Sequence, residues 1–280
     1  MIFSAIEKSD LGFYITNFFP RKLLTKFFGK LSKSENPIVL RALFALFKLF
    51  SGSLNLEESK EQKFNTFHEY FIRELRSGAR PIDHKASFVS PCDGIVGSFG
   101  KIVNNQLFQI KQEAYLLEEL LCNDTNIISR FKNGSYLTLR IKPHFYHRFH
   151  MVCDAKISST TLVPGELWNI NEATLRKVSS LFAKNERAII NCESKNYKFA
   201  IIPVGTVLVG SIKLNSLDFS FNQDYTEIMK INNEFNATKG EELGMFHYGS
   251  TVVLLFDKEV SFTENILVDS FVKVGEKIIA

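Results

Sequence analysis

Three of the chain's six histidines fall at three-residue intervals in the run Pro143-His144-Phe145-Tyr146-His147-Arg148-Phe149-His150. Imidazole is the side chain that carries protons near neutral pH, and it is also a common metal ligand. On a strand, the odd spacing puts His147 and His150 on opposite faces; on a helix the three rings drift off one side. No acidic or cysteine ligand sits nearby in sequence, so a metal centre is the weaker reading. Structural histidines bonded to backbone groups remain the plain alternative, but two imidazoles bracketing an arginine beside a tyrosine favour acid-base chemistry.

Two further segments carry groups that such a base could serve. In Ser90-Pro91-Cys92-Asp93-Gly94 the Asp-Gly pair reads first as a turn into the apolar Ile95-Val96. Asp93 gains a chemical role only with a partner, for example by orienting an imidazole. The second segment, Lys239-Gly240-Glu241-Glu242-Leu243-Gly244-Met245-Phe246-His247-Tyr248-Gly249-Ser250-Thr251, leads into an apolar run, Val252 to Phe256. Gly-Ser-Thr before a strand is an ordinary turn, and it is not the nucleophile elbow of the hydrolases, where a helix follows the serine.

The elements that must position these groups change character along the chain. From Leu11 to Leu31 apolar residues at helical spacing, among them Phe18, Phe19, Leu23, Leu24, Phe27, Phe28 and Leu31, interleave with cations. A second helix is expected from Pro37, with Leu40, Leu43, Phe44, Leu46, Phe47 and Phe50 on its apolar stripe. Seven cations (Arg21, Lys22, Lys26, Lys30, Lys33, Arg41 and Lys48) face Glu35 alone between Leu11 and Phe50. Basic amphipathic helices of this kind lie in a bilayer interface or pack on the protein's own core, and the lopsided charge favours the interface. Ser51 to Lys63 reads as a polar linker. Phe64 to Leu75 is expected to be one more helix, ended by Gly78 and Pro81. Then come β-branched and aromatic runs bounded by turn residues: Tyr136 to Ile141, Ala188 to Asn191, Phe199 to Val204, Thr206 to Ile212 and Thr251 to Phe256. The expected fold class is α+β, with N-terminal amphipathic helices followed by a mostly antiparallel β-rich body, divided at about 1–63 and 64–280.

Composition fits a folded protein of 280 residues, with 45% hydrophobic and 23% charged residues and an excess of phenylalanine, 27 in all. A net charge of +4 is too small for a polyanion-binding protein, so no nucleic-acid partner is expected. Cys92, Cys122, Cys153 and Cys192 are widely spaced, which fits a reducing compartment more easily than a zinc or dithiol site, although pairing stays open. No secretory signal is read in the first residues, and the apolar run Ile38 to Phe50 is too short and too charged for a transmembrane anchor.

Taken together and in order, these segments resemble the phosphatidylserine decarboxylase proenzymes. The residues that carry the resemblance are Phe67 to Asp83, Ser90 to Gly94, Tyr146 to His150, Val163 to Asn171, Asn185-Glu186-Arg187, Val204 to Ile212 and Lys239 to Phe256, with Val272 to Glu276 near the end. The resemblance implies self-cleavage at Gly249-Ser250 into a 1–249 and a 250–280 chain that stay associated. It assigns Ser250 as nucleophile and precursor of a covalent pyruvoyl cofactor, His150 as its general base, Asp93 as the residue orienting His150, and His147 to the decarboxylation step, with no metal. It further implies conversion of phosphatidylserine to phosphatidylethanolamine and CO2 by a peripheral membrane enzyme on the cytoplasmic face of the inner membrane. Homo-oligomers are compatible with it. The alternatives are a non-catalytic, membrane-peripheral lipid-binding protein of the same fold and a decarboxylase for another serine-headed lipid. Three positions depart from the common family pattern: Tyr248 stands where Leu is usual, Phe145 where Asp is frequent, and Cys92 where Ala is common. None of these removes a proposed reacting group.

Overall fold

The alternating apolar and cationic residues of the N-terminal region fold as two helices, α1 (Arg21–Ser32) and α2 (Pro37–Ser51), in a computed structural model. The residues described are 13–14, 20–51, 53–108, 114–207, 212–217, 225–247 and 250–280, with the side chains of residues 50 and 172 excepted. Phe18, Phe19, Tyr248 and Gly249 lie outside them. Helix α2 begins at Pro37, as expected from a residue with a preset φ and no N–H to leave unpaired. The Asn36 Oδ1 accepts from the Ile38 and Val39 amides at 2.9 and 3.4 Å. A third helix, α3 (Phe67–Phe71), is shorter than the expected Phe64 to Leu75. Thr66 and Glu69 form a capping box at its start, and by Leu75 the chain is extended, bridged to Ser59. That bridge also orders the segment read as a linker, where Ser59 is fully buried.

Beyond Phe71 come β1 (Gly94–Lys101), β2 (Gln106–Phe108), β3 (Ala114–Leu116), α4 (Leu117–Leu120), α5 (Thr125–Phe131), β4 (Ser135–Ile141), β5 (Arg148–His150) and β6 (Ala155–Val163). Next are α6 (Glu172–Lys177), α7 (Leu181–Lys184), β7 (Arg187–Glu193), β8 (Lys198–Val204), β9 (Ile212–Leu214), β10 (Met229–Ile231), β11 (Phe235–Ala237), β12 (Glu242–Phe246), β13 (Ser250–Phe256) and β14 (Phe271–Val272). The expected strand over Thr206 to Ile212 is not formed at Thr206 and Val207, and only its last residue opens β9; 208–211 lie outside the described residues.

Among the described residues the main sheet is antiparallel, in the order β10-β6-β7-β8-β13-β4-β1-β14, with β11 also on β6. Strand β13 is central and buried along its whole length, which is why Val252 to Phe256 reads as an uninterrupted apolar run. Val252, Leu254 and Phe256 face one apolar cluster, with α1 to α3 and the small sheet β5-β12-β9. Val253 and Leu255 face the other, with residues of β2, β3 and α4 to α7. All four cysteines are free thiols.

Helices α1 and α2 have two apolar sides. Phe28, Phe44 and Phe47 pack edge-on against Phe67 at 5.1 to 6.2 Å, which fastens them to α3. Leu23, Phe27, Ile38, Leu46 and Leu49 instead point to solvent, each at least half exposed, while the small Thr25 and Ser32 are the buried residues of α1.

Candidate active site

Backbone pairing brings the three segments singled out in the sequence to one place. Strand β12 pairs with β5 with Glu242 opposite His150. The His150 N–H donates to the Pro91 carbonyl at 2.8 Å, so the segment before Asp93 runs beside the histidines. Strand β12 then leads through 247–249 into Ser250, the first residue of β13.

His150 is half-buried, and both ring nitrogens are engaged. Nδ1 lies 2.9 Å from the Gly240 carbonyl oxygen. A carbonyl can only accept, so Nδ1 carries the proton and the Nε2 lone pair receives the Tyr146 hydroxyl at 3.1 Å. Gly240 adopts φ +83, and an added Cβ would meet the Ile82 side chain at 2.7 Å; a glycine is what lets this carbonyl be aimed at the ring. Burial lowers the imidazole pKa, opposed by the Gly240 bond and by the charges of Glu242 and Asp93. The result is a neutral ring with a fixed tautomer and a basic Nε2.

Asp93 sits differently from the expectation. Its buried carboxylate accepts from Arg80 through Nε at 2.8 Å and Nη2 at 2.5 Å, and from the Val274 amide at 3.0 Å. Arg80 also pairs with Glu58 at 2.7 Å, and these acids raise its pKa against the effect of burial. No hydrogen bond joins Asp93 to His150, and the Gly240 carbonyl holds the tautomer instead. A bidentate guanidinium is the stronger partner for a buried carboxylate, so Asp93 reaches His150 only through its field.

His147 is fully buried. Its Nε2–H donates to the Pro143 carbonyl at 2.9 Å, the ring packs on Phe71 at 5.2 Å, and Nδ1 has no partner. Burial pushes its pKa down to about 3. His144 takes no part in this pair of rings; its carbonyl, with that of Phe145, receives the Arg73 guanidinium.

Ser250 pairs with Ile141 on β4, and its hydroxyl is buried without a hydrogen-bond partner, as is that of Thr251. A cleft of about 340 Å³ opens beside Asp93 and Tyr146, and Arg73, Arg80, Phe271 and Lys273 also line it. Tyr146, Arg80 and Gly240 were within quoted segments but drew no role from sequence, because each acts through a neighbour that the linear order does not reveal.

A profile of the phosphatidylserine decarboxylase family matches residues 67–280. The chain belongs to this family. It is 32% identical over 282 residues to the phosphatidylserine decarboxylase proenzyme of Acinetobacter baumannii strain AYE, covering 99% of each chain. With the proenzyme of Vibrio vulnificus strain YJ016 it shares 34% identity over 265 residues, 88% of this chain and 90% of the relative. The proenzyme of Acinetobacter baylyi is 31% identical over 283 residues, 99% and 98% of the two chains. The two Acinetobacter matches cover 99% of this chain, so the family likeness takes in α1 and α2 as well as the β-rich body.

Proposed function

We propose that the protein is a self-processing decarboxylase that converts phosphatidylserine to phosphatidylethanolamine and CO2 at a membrane surface. The observation that carries the reading is, in a chain of this family, an unpartnered serine hydroxyl at the start of the central strand, reached from a strand that pairs with His150.

In the processing step the Nε2 of His150 exchanges the Tyr146 hydroxyl for that of Ser250 and takes the serine proton. The oxygen then adds to the Gly249 carbonyl carbon, and the Gly249–Ser250 C–N bond gives way to an ester that eliminates. A serine hydroxyl is a poor nucleophile until a base relieves it of its proton, and a base needs a fixed tautomer to do so. Asp93 contributes negative charge that favours the imidazolium formed.

The residues present fit a pyruvoyl group at position 250. Ser250 stands in a buried setting with the Nδ1 of His147 unpartnered among the polar atoms of the site, so hydrogen-bonding capacity is held in reserve. A carbonyl there supplies an electron sink for decarboxylation. Neutral His147, with its free Nδ1, serves as the group that picks up and delivers the proton that replaces CO2. Strand β13 stays in place after cleavage because β4 and β8 hold it from both sides, so the 1–249 and 250–280 chains remain one body.

Membrane association accounts for the exposed Leu23, Phe27, Ile38, Leu46 and Leu49, interleaved with exposed Lys22, Lys26, Lys30, Arg41 and Lys48. Apolar residues enter the acyl boundary and cations meet anionic headgroups. Arg21 pairs with Glu166 and stacks on Trp168 at 3.6 Å, which ties α1 to the β-rich body. The cytoplasmic face of the inner membrane is the setting that suits free thiols and a lipid substrate.

The deciding experiment is the denaturing intact mass of the wild type beside Ser250→Ala. Two fragments meeting at 249/250, the smaller lighter by one ammonia than its serine-started peptide, are expected from the wild type and a full-length chain from the variant. Full-length mass in both folded proteins would favour the non-catalytic lipid-binding alternative.

A further inference from the structure

Glu186 is a buried acid that the processing scheme leaves unused. It is 3% exposed, its Oε1 has no hydrogen-bond partner, and no ion pair involves it among the described residues. Strand register gives its position. Arg187, Val204 and Thr251 lie opposite one another on β7, β8 and β13. One residue further along these antiparallel strands stand Glu186, Gly205 and Ser250. The Gly205 N–H donates to the Glu186 carbonyl at 2.8 Å, so the pairing continues into this row.

Residues opposite one another in an antiparallel sheet share a face. The clusters agree: Ala188 and Ile190 of β7, Ile201 and Phe199 of β8, and Val252 and Leu254 of β13 form one apolar cluster, and Glu186, Gly205 and Ser250 follow at two-residue steps on the same side. The Cα atoms of Glu186 and Ser250 are therefore two strand spacings apart, about 10 Å. Gly205 between them has no side chain. A Cβ built there would lie 3.7 Å from the Glu186 Oε1, which places the carboxyl over the gap that leads to Ser250.

The group facing that gap is poised to exchange protons. Burial pushes its pKa up to about 7, opposed by Lys22 of α1. Tyr225, before β10, is the other titratable side chain that feels its charge. A substrate amine is protonated at neutral pH and cannot attack a carbonyl until it sheds a proton.

We infer that Glu186 is a substrate-contacting acid-base residue that receives the ammonium of a serine headgroup across Gly205 and relays its protons. This rests on the decarboxylase reading above. In the condensation, the carbonyl carbon at position 250 exchanges its bond to oxygen for one to the amine nitrogen. Two N–H protons of the ammonium leave with that oxygen as water. The carboxylate takes a proton from nitrogen, holds it as O–H and passes it to the departing oxygen, ending unchanged.

The test uses full-length wild type, Glu186→Gln and Gly205→Ala in detergent. Gly205 has no clash to an added methyl, so the second variant fills the gap while keeping the acid. Intact mass reads self-cleavage. Hydroxylamine, an amine that is neutral at pH 7, reads the carbonyl, and borohydride-trapped adducts of glycerophosphoserine read attack by an ammonium. The expected result is wild-type cleavage and hydroxylamine adduct in Glu186→Gln, with glycerophosphoserine adduct formed about a hundredfold more slowly at pH 7 and recovering toward pH 9. Gly205→Ala should show the same selective loss in milder form. Equal adduct rates for both amines in Glu186→Gln would overturn the assignment. So would failure of both variants to cleave, which would move the residue into precursor processing. A wild type without cleavage or hydroxylamine adduct overturns the decarboxylase reading itself, and its own mass tells that failure apart.

Discussion

The two ends of strand β13 are built to opposite specifications. At Phe256 the strand closes into aromatic packing: Phe88 meets Tyr197, Phe199 and Phe256 edge-on at 5.1 to 5.4 Å. At its other end the same strand begins with two buried hydroxyls that lack partners, those of Ser250 and Thr251, and the Oε1 of Glu186, likewise unpartnered, stands on the sheet row of Ser250. Unpaired buried polar groups each cost about 1–3 kcal/mol. One end of the strand therefore supplies rigidity, and the other spends it to hold reactive groups ready. The lesson is that stability and chemistry are separable along a single strand.

The largest expected effect tests that separation directly. With His150→Ala as a full-length reference, adding Phe256→Ala should lower unfolding free energy by about 3–5 kcal/mol, from lost burial and the cavity left behind. Adding Ser250→Ala should leave it unchanged or raise it by up to about 1 kcal/mol, since an unsatisfied hydroxyl is removed. Urea unfolding measures both, and comparable losses at the two sites would break the contrast.

Next in size are the charges behind His150. Asp93→Asn should slow cleavage by about tenfold to a hundredfold, the worth of one charge several ångströms away at an effective dielectric of 20, whereas Arg80→Gln, which removes a cation, should not slow it through the field. Neither should abolish it, because the base and its Gly240 bond remain. The time course of fragment appearance after denaturant dilution checks this, and complete loss in Asp93→Asn with intact folding would restore a direct orienting role.

A smaller effect, taken ring by ring, follows from the neutral imidazoles of His147, buried, and of His247 and His68, half-buried. His147 and His247 are held down to about 3 and His68 to about 4, against 6.5 in the unfolded chain. Between pH 6.5 and 4 the unfolded state binds protons that the native state does not, so stability is full above 6.5 and falls as pH drops. For His147 the slope is about 1.4 kcal/mol per pH unit below 6.5. Thermal unfolding of the Ser250→Ala precursor from pH 7 to 5 should show the fall, and His147→Gln should flatten it.

The smallest effect on stability belongs to the solvent-facing helices. Replacing Leu23 and Phe27 together by Ser should change unfolding free energy by less than about 0.5 kcal/mol. Binding to phosphatidylserine vesicles, read by co-sedimentation, should nonetheless fall about tenfold. Unchanged binding would remove α1 from the membrane-facing surface.

Much of this architecture was legible in one dimension. Pro37 marked the start of α2, and the run after Ser250 announced a strand buried on both faces, because local φ preference and hydrophobic patterning act within a few residues. Helix α3 was overread. The apolar spacing from Phe64 continues to Leu75, but Arg73 caps the end of the turn by donating to Tyr70, and Leu75 finds a strand partner in Ser59. The polar segment around Ser59 looked like a linker because its partner lies across the fold. At the site, the histidine run stood out by residue type, while the roles of His147, His150 and Ser250 came from the family resemblance. Their true neighbours came from neither, since Arg80 takes Asp93 and Gly240 takes His150 through contacts separated by 13 and 90 residues.

By itself, the sequence determined the α+β class, the start of α2, the buried strand after Ser250, which groups can carry protons, and the family to which the chain belongs. Only the tertiary structure decided which carboxylate answers to which cation, which histidine nitrogen is left basic, and that Glu186 shares a sheet face with Ser250. Local propensity is written in neighbouring residues. Pairing of buried charges and lone pairs is settled by strand register and burial, which bring distant residues within about 3 Å and make each unpaired atom costly.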